Sequence, residues 1–386
     1  MEPDDTTAGQ AEGGGETTAG GPLRDRLAAI VDPVLDVDLG SSGMLGDVTI
    51  EGDRVAVTLR LPVAGHPAAL HLKAAMVEVL EQSEGVSALD LSWELLDAPA
   101  QEALIARVLP PAGQGQGEEP PIPFNDLDST TKVIAVASGK GGVGKSSVTV
   151  NLAAALAADG HRVGVLDADI WGYSIPRMLG VEGRPVALGD RVLPLLAHGV
   201  KVISIGFFVD GDQPVIWRGP MLHRALQQFL SDVFWGELDF LLCDLPPGTG
   251  DITISLAQML PNADMVLVTT PQQAAERVAL RAGQSTDQTG MRVVGVVENM
   301  ATFVAPDTGR EYAIFGEGGG ATLAEALDTD LLGSVPIDPR LREGGDRGVP
   351  LVIADPQAPA AQRLQAIAHQ LTSLGQSLAG RSLPLM

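Results

Sequence analysis

The chain has 386 residues, 45% of them apolar, which is material for about two or three domains with buried cores and excludes a wholly disordered protein. Lys and Arg number 25 against 49 Asp and Glu, a formal net charge of −24. That excludes a protein built to coat nucleic acid or an anionic membrane, so no nucleic-acid and no membrane partner is expected. The single cysteine, Cys243, excludes an internal disulfide and any metal centre held by several cysteines of one chain, and it fits a reducing compartment. The acidic N-terminus has no apolar core and no run of about 18 apolar residues occurs anywhere, so the expected location is cytoplasmic.

Residues 1–22 are Gly, Thr, Ala and acid, and read as a disordered tail. From Leu23 a compact pattern begins. LRDRLAAIVDPVLD predicts a short helix ended near Pro33, DVTIEGDRVAVTLRLP predicts a hairpin turning at Glu51-Gly52-Asp53, HPAALHLKAAMVEVLEQSEG predicts a second helix stopped at Gly85, and VSALDLSWELL predicts a strand. This αββαβ order makes residues 23–109 a small α+β domain. Residues 110–128, rich in Pro, Gly and Glu, read as a linker.

From residue 129 the pattern becomes strand–helix alternation. Expected strands are Val133–Ala137, Val163–Asp167, Val202–Ile205, Phe240–Asp244, Met265–Thr269, Val293–Val297 and Leu332–Val335, several of them near-continuous apolar runs suited to parallel strands covered on both faces. The fold class is therefore α/β: a doubly wound, mostly parallel sheet over residues 129–386, preceded by the small domain. The last helix, Ala361–Leu378, is expected to pack against the sheet. Its polar face lacks the Lys and Arg that a membrane-surface helix carries.

Gly139-Lys140-Gly141-Gly142-Val143-Gly144-Lys145-Ser146 is G-x-x-x-x-G-K-S between a strand and a helix, the context in which this motif binds phosphate. Its glycines let backbone N–H groups turn inward, and the helix start adds partial positive charge. Lys145 is expected on the β/γ-phosphates and Ser146 on Mg²⁺, with Ser147 next in the helix. Two apolar strands end in acid, at Asp167-Ala-Asp169 and at Asp244. Asp244 is placed to hold Mg²⁺ through water, and Gly248 to offer its N–H to the γ-phosphate. Asp167 and Asp169, two apart, are expected to share a face. Lys140 is an extra cation that an ordinary phosphate loop does not need. It sits close to the phosphates, points away from its own γ-phosphate, and is placed to stabilise transfer in a second subunit.

K-G-G-V-G-K-S resembles the deviant Walker A pattern of ParA/MinD-like ATPases. DADIWGYSIPRMLG (167–180), VIWRGPM (215–221), DLPPGTGD (244–251), TTPQ (269–272), VVENM (296–300) and IFGEGGG (314–320) are similar, in order, to the Mrp/ApbC family of ATP-binding iron–sulfur cluster carriers, and residues 23–108 resemble the SufT-like domain often fused ahead of it. The resemblance implies a homodimeric ATPase with ATP and Mg²⁺ as ligands, a [4Fe–4S] cluster as cargo, and iron–sulfur apoproteins or an assembly scaffold as partners. It gives catalytic roles to Lys140 across the dimer, to Lys145, and to Asp169 on the attacking water. It places Asn299 on the adenine edge and the stretch from Pro336 to Asp338 over the base. The family's C-P-x-C-G falls on Ala305 to Gly309, so Ala305 and Thr308 stand at the two cysteine positions, and the small domain's Cys-Pro is His66-Pro67. Neither Ala nor Thr supplies a thiolate. Cys243 reads as a buried small hydrophobe and His66 as a surface or turn histidine. Two other readings stay open: a nucleotide-switch adaptor that carries no cluster, and a ParA-like positioning ATPase.

Overall fold

The computed structural model describes residues 20–83, 85–108, 121–126, 128–170, 172–208, 219–248, 250–272, 291–305 and 307–375. Most of the tail assigned to residues 1–22, residues 110–120 and 127 of the linker, residues 215–218 of the VIWRGPM stretch and residues 376–378 of the last expected helix lie outside the described residues. The chain divides into two compact units. The smaller takes the described residues up to Asp32 together with Val37–Pro62 and Ala69–Leu104, and the larger takes Pro33–Asp36, Val63–Ala68 and the chain from Ile105 onward.

In the smaller unit, two short strands, β1 (Val31–Asp32) and β2 (Val37–Asp38), pair antiparallel. β3 (Leu45–Glu51) and β4 (Arg54–Leu61) form the expected antiparallel hairpin, whose tight turn uses Gly52 at φ +66. β5 (Ala88–Leu95) runs parallel to β4, giving the order β3-β4-β5. Val55, Val57, Leu59 and Leu61 alternate into the core along β4, and the helix Ala69–Glu81 meets it with Leu72, Met76 and Leu80, four residues apart on one helical face. The expected αββαβ order is present with two additions: the β1–β2 pair, too short to leave a periodic signal, and a helix at Ala98–Val108.

The larger unit is built on one twisted sheet. Its strands are β6 (Lys132–Ser138), β7 (Val163–Asp167), β10 (Leu195–Ala197), β11 (Val200–Ser204), β12 (Phe240–Asp244), β13 (Asp264–Thr269), β14 (Arg292–Val304), β15 (Glu311–Tyr312) and β16 (Leu331–Ile337), while β8 (Val186–Leu188) and β9 (Arg191–Leu193) form a separate hairpin. The order is β10-β11-β7-β12-β6-β13-β14, with β16 parallel on the far side of β14 and β15 antiparallel at its end. All seven expected strands lie in this sheet, parallel to one another. β10 and β15 are antiparallel additions at its margins.

Successive residues of the central strands bury opposite sides. Ile134, Val136, Phe240, Leu242, Val266 and Val268 join one core with the helices Lys145–Ala158 and Pro359–Ser373. Val133, Ala135, Leu241, Cys243, Met265 and Leu267 join the other with the helices Gly219–Ser231, Asp251–Met259 and Gly319–Ala326. The last helix buries Leu364, Ile367 and Leu371 against the sheet, as expected. Among the described residues, no helix is long and apolar enough to cross a membrane.

Candidate nucleotide site

The site lies where parallel strands end together. In register, Val136, Asp244, Asp167 and Ser204 occupy one row across β6, β12, β7 and β11. Asp244 shares the phase of Phe240 and Leu242, so its carboxylate enters the side of the sheet that carries the helix Lys145–Ala158. That helix begins directly after the glycine loop. Gly142 and Gly144 hold φ near +79 and +78, which side chains resist, and Gly144 is the helix N-cap. A side chain on Gly144 would also collide with the Asn299 amide.

Asp244 is fully buried and is the hub of the site. Its Oδ2 accepts from Lys145 Nζ at 2.6 Å and from Ser146 Oγ at 2.6 Å, and its Oδ1 accepts from Thr149 Oγ1 at 2.7 Å. Lys145 and Ser146 open the helix and Thr149 lies one turn on, so a single helix face brings three donors to one carboxylate. Thr149 is a residue of this hub that motif reading missed. Its position four residues after the loop lysine is the signal that marks it. A cleft of about 520 Å³ opens above this hub. Lys140 to Ser147 form its floor, and Asp169, Gly172, Pro246 and Pro247 stand among its walls.

Asp167 and Asp169 do not share a strand face. β7 ends at Asp167, whose Oδ1 accepts the Asp169 N–H at 3.2 Å, and this local turn takes the chain out of the sheet. Asp169 then stands in the cleft wall, where its Oδ1 accepts the Gly172 N–H at 3.0 Å. Asp167 is buried and accepts the Ser204 hydroxyl at 2.9 Å. Burial pushes its carboxyl up to about 7, and the negative charge of Asp244 adds to the rise.

A carboxyl with a raised value in the folded state binds its proton more tightly folded than unfolded. Its stabilising contribution is therefore complete below the ordinary carboxylate range and is lost as the pH rises through about 7. In nucleotide-free protein, Asp167→Asn is expected to raise stability by about 1–2 kcal/mol at pH 5 and by about 4 kcal/mol at pH 8. Urea unfolding of both proteins at the two pH values checks this, and an equal difference at both would contradict it.

Lys140 Nζ donates to Gln272 Oε1 at 2.9 Å. The Gly248 N–H, expected to face the γ-phosphate, donates to Ser138 O at 2.8 Å, fixing the loop after β12 to the end of β6. Asn299 is brought to the glycine loop, where its Nδ2 donates to Val143 O at 2.9 Å. Pro336 belongs to β16 and Asp338 caps the helix Pro339–Arg347, accepting the Arg340 N–H and pairing with its guanidinium at 2.8 Å. Neither is among the residues that line the cleft.

The two positions of the expected cysteine pair lie in the turn between β14 and β15. The Ala305 N–H donates to Arg310 O at 2.9 Å and the Gly309 N–H to Ala305 O at 2.8 Å, leaving Thr308 exposed at the tip. Cys243 is fully buried, and burial first, then the Asp244 charge, pushes its thiol up, as a small core hydrophobe requires. His66 is buried in a turn rather than lying at the surface. Its Nδ1 accepts the Ala68 N–H at 3.1 Å, which folds the ring inward. Among the described residues, no group of three or more His, Cys, Asp or Glu is arranged to hold a metal ion.

The sequence model of the family described as "NUBPL iron-transfer P-loop NTPase" matches residues 129–372, and that of "Iron-sulfur cluster assembly protein" matches residues 23–89. The chain is 49% identical over 366 residues to the iron–sulfur cluster carrier protein of Mycobacterium leprae (strain TN), covering 93% of this chain and 94% of the relative. It is 39% identical over 317 residues to the iron–sulfur cluster carrier protein of Bacillus subtilis (strain 168), covering 82% of this chain and 87% of the relative. Among solved structures, a nucleotide-binding protein in complex with ADP from Archaeoglobus fulgidus matches with 38% identity and a TM-score of 0.52, over 60% of this chain and 90% of that one. A glycine loop and a strand-end aspartate joined through one helix face, matched over nearly the whole chain by such relatives, place this protein in a family: it belongs to the NUBPL iron-transfer P-loop NTPases.

Proposed function

We propose that the protein binds and hydrolyses ATP as a homodimer and uses that cycle to assemble or carry iron–sulfur clusters for delivery to apoproteins, in the cytoplasm. The observation that carries the nucleotide half is the convergence of Lys145, Ser146 and Thr149 on Asp244 beneath an open glycine-lined cleft. In this reading the N–H groups from Gly139 to Ser147 cradle the phosphates, and Lys145 exchanges Asp244 for the β/γ-phosphates. Ser146 and Asp244, the latter through water, are the residues that would hold Mg²⁺. Two hard oxygens that already lie 2.6 Å apart fit that ion. Bound Mg²⁺ supplies neutralisation of phosphate charge. Asp169 orients the attacking water from the cleft wall, and Lys140 stabilises the transferring phosphoryl group of the partner subunit's nucleotide. Asn299 sits beside the glycine loop, where its amide can read the base.

The cluster half is supported by the family and by the relatives' names, which favour carriage over the adaptor and DNA-positioning readings. The ligand chemistry adds a condition. A four-iron cluster takes four thiolates. Two subunits hold two cysteines between them, both at the buried position 243, and the hairpin offers Ala305 and Thr308 instead. These residues do not fit a four-iron cluster, so the thiolates come from the donor or recipient protein or from a small thiol.

Anaerobic reconstitution with iron and sulfide, followed by gel filtration and iron counting, tests this. The expected result is protein that hydrolyses ATP, carries no stoichiometric iron by itself, and restores activity to an iron–sulfur apoprotein when a cluster donor is present. Near-stoichiometric iron retained through gel filtration would contradict the ligand condition, and absence of any ATP-dependent effect on cluster transfer would contradict the function.

A further inference from the structure

In the nucleotide-free chain Lys140 is already engaged. Its ammonium donates to the side-chain oxygen of Gln272 at 2.9 Å, and both residues are only partly exposed. Gln272 belongs to the short segment that leaves β13, and that segment is fixed from behind. A Cβ on Gly319 would come within 2.6 Å of the Pro271 carbonyl oxygen and 2.9 Å of its carbon, so the backbone of the glycine turn at 316–320 bears directly on residue 271. The turn is fixed in its own right. The buried Glu298 carboxylate accepts the Gly320 N–H at 2.7 Å with one oxygen and the Ser334 hydroxyl at 3.1 Å with the other, joining the helix Gly319–Ala326 to β14 and β16. Gln272 thus follows a backbone position held by that turn, and its side-chain oxygen faces Lys140 on the glycine loop.

The chemistry of the acceptor matters. A neutral amide oxygen holds an ammonium by one charge-assisted hydrogen bond, strongly enough to populate the contact and weakly enough to yield to the several negative charges of a polyphosphate. We propose that Gln272 is a positioning residue that parks Lys140 until the nucleotide of a second subunit draws it away, and so sets the protein concentration at which ATP-loaded subunits pair and hydrolyse. This rests on the reading of Lys140 as acting across the dimer. A parked lysine lowers the fraction of competent subunits, and the apparent pairing constant weakens by that fraction.

The test is steady-state phosphate release at saturating Mg-ATP as a function of protein concentration, together with the rate at which an amine-reactive acetyl ester labels Lys140 in nucleotide-free protein, read by peptide mass spectrometry. Gln272→Ala is expected to lower the protein concentration for half-maximal rate by about threefold to tenfold, the worth of one hydrogen bond to a charged group at a partly exposed site, with the plateau rate unchanged and Lys140 labelled faster. Gln272→Glu, of the same shape but charged, is expected to move both readouts the opposite way. A merely structural role would move the two variants in the same direction. That outcome, or unchanged labelling, or a lower plateau with an unchanged midpoint, would overturn the proposal. Full hydrolysis by Lys140→Ala would instead overturn the role of Lys140 itself, and the labelling rates would still report whether the parking contact exists.

Discussion

Lys145→Ala is expected to abolish measurable ATP binding. Lys145 is 6% exposed, and its ammonium is the cation nearest the position the β/γ-phosphates take in such a loop. Removing it leaves a cluster of phosphate charges facing backbone N–H groups and the buried Asp244 carboxylate. A lost charge-assisted contact alone weakens binding by about 100-fold, and repulsion from an uncompensated Asp244 adds to it. The same change also acts on the fold. Lys145 and Asp244 form a buried pair at 2.6 Å, and removing one member of such a pair costs about 3–5 kcal/mol, moderated here because Ser146 and Thr149 still donate to the carboxylate. Calorimetric titration with Mg-ATP, run beside a thermal melt to show that the variant is folded, measures both. An unchanged dissociation constant in folded protein would contradict the assignment of the loop.

Lys140→Ala is expected to do the reverse: to keep nucleotide binding within a few-fold of wild type and to lower the rate of hydrolysis by about 100-fold, the effect of removing one preorganised charge from a transferring phosphoryl group. The structure separates the two lysines physically. Lys145 donates to the buried Asp244, whereas Lys140, in the same cleft, donates to Gln272. In the proposed mechanism the first serves its own nucleotide and the second that of a neighbouring subunit. Calorimetry and phosphate release on the same preparation distinguish the roles, and wild-type hydrolysis by the variant would remove Lys140 from the mechanism.

The parts of this fold that repeat a strong local pattern are legible in the residues. Strands buried on both faces read as apolar runs, so Val163–Asp167 and Phe240–Asp244 match the observed strands end to end. Strand β14 does not. Its expected length stops at Val297, whereas the strand continues to Val304, because it pairs further with β15 and β16 through contacts that sequence periodicity does not encode. The glycine loop, Asp244 and Asp169 come together as spacing and strand ends suggest. The placement of Gly248 and Asn299 depends on which backbone carbonyl lies within reach, Ser138 for one and Val143 for the other, and that is decided by tertiary packing. The inward fold of His66 has the same origin, since a lone histidine before proline carries no signal of burial. The Gln272 contact joins residues 132 apart in the chain and was invisible for that reason.

A nucleotide site completed by a second subunit is the central claim, and one measurement reaches it directly. Lys140→Ala and Asp169→Ala are each expected to bind Mg-ATP and to hydrolyse it poorly. When they are mixed in equal amounts, random pairing makes half of the dimers mixed. In each of these, the Lys140→Ala subunit keeps its own Asp169 and receives Lys140 from its partner. Phosphate release from the mixture is expected to rise to about a quarter of the wild-type rate, one restored site in each mixed dimer. A mixture no more active than the average of the two separate variants would show that Lys140 does not act on its partner's nucleotide, and would contradict the account.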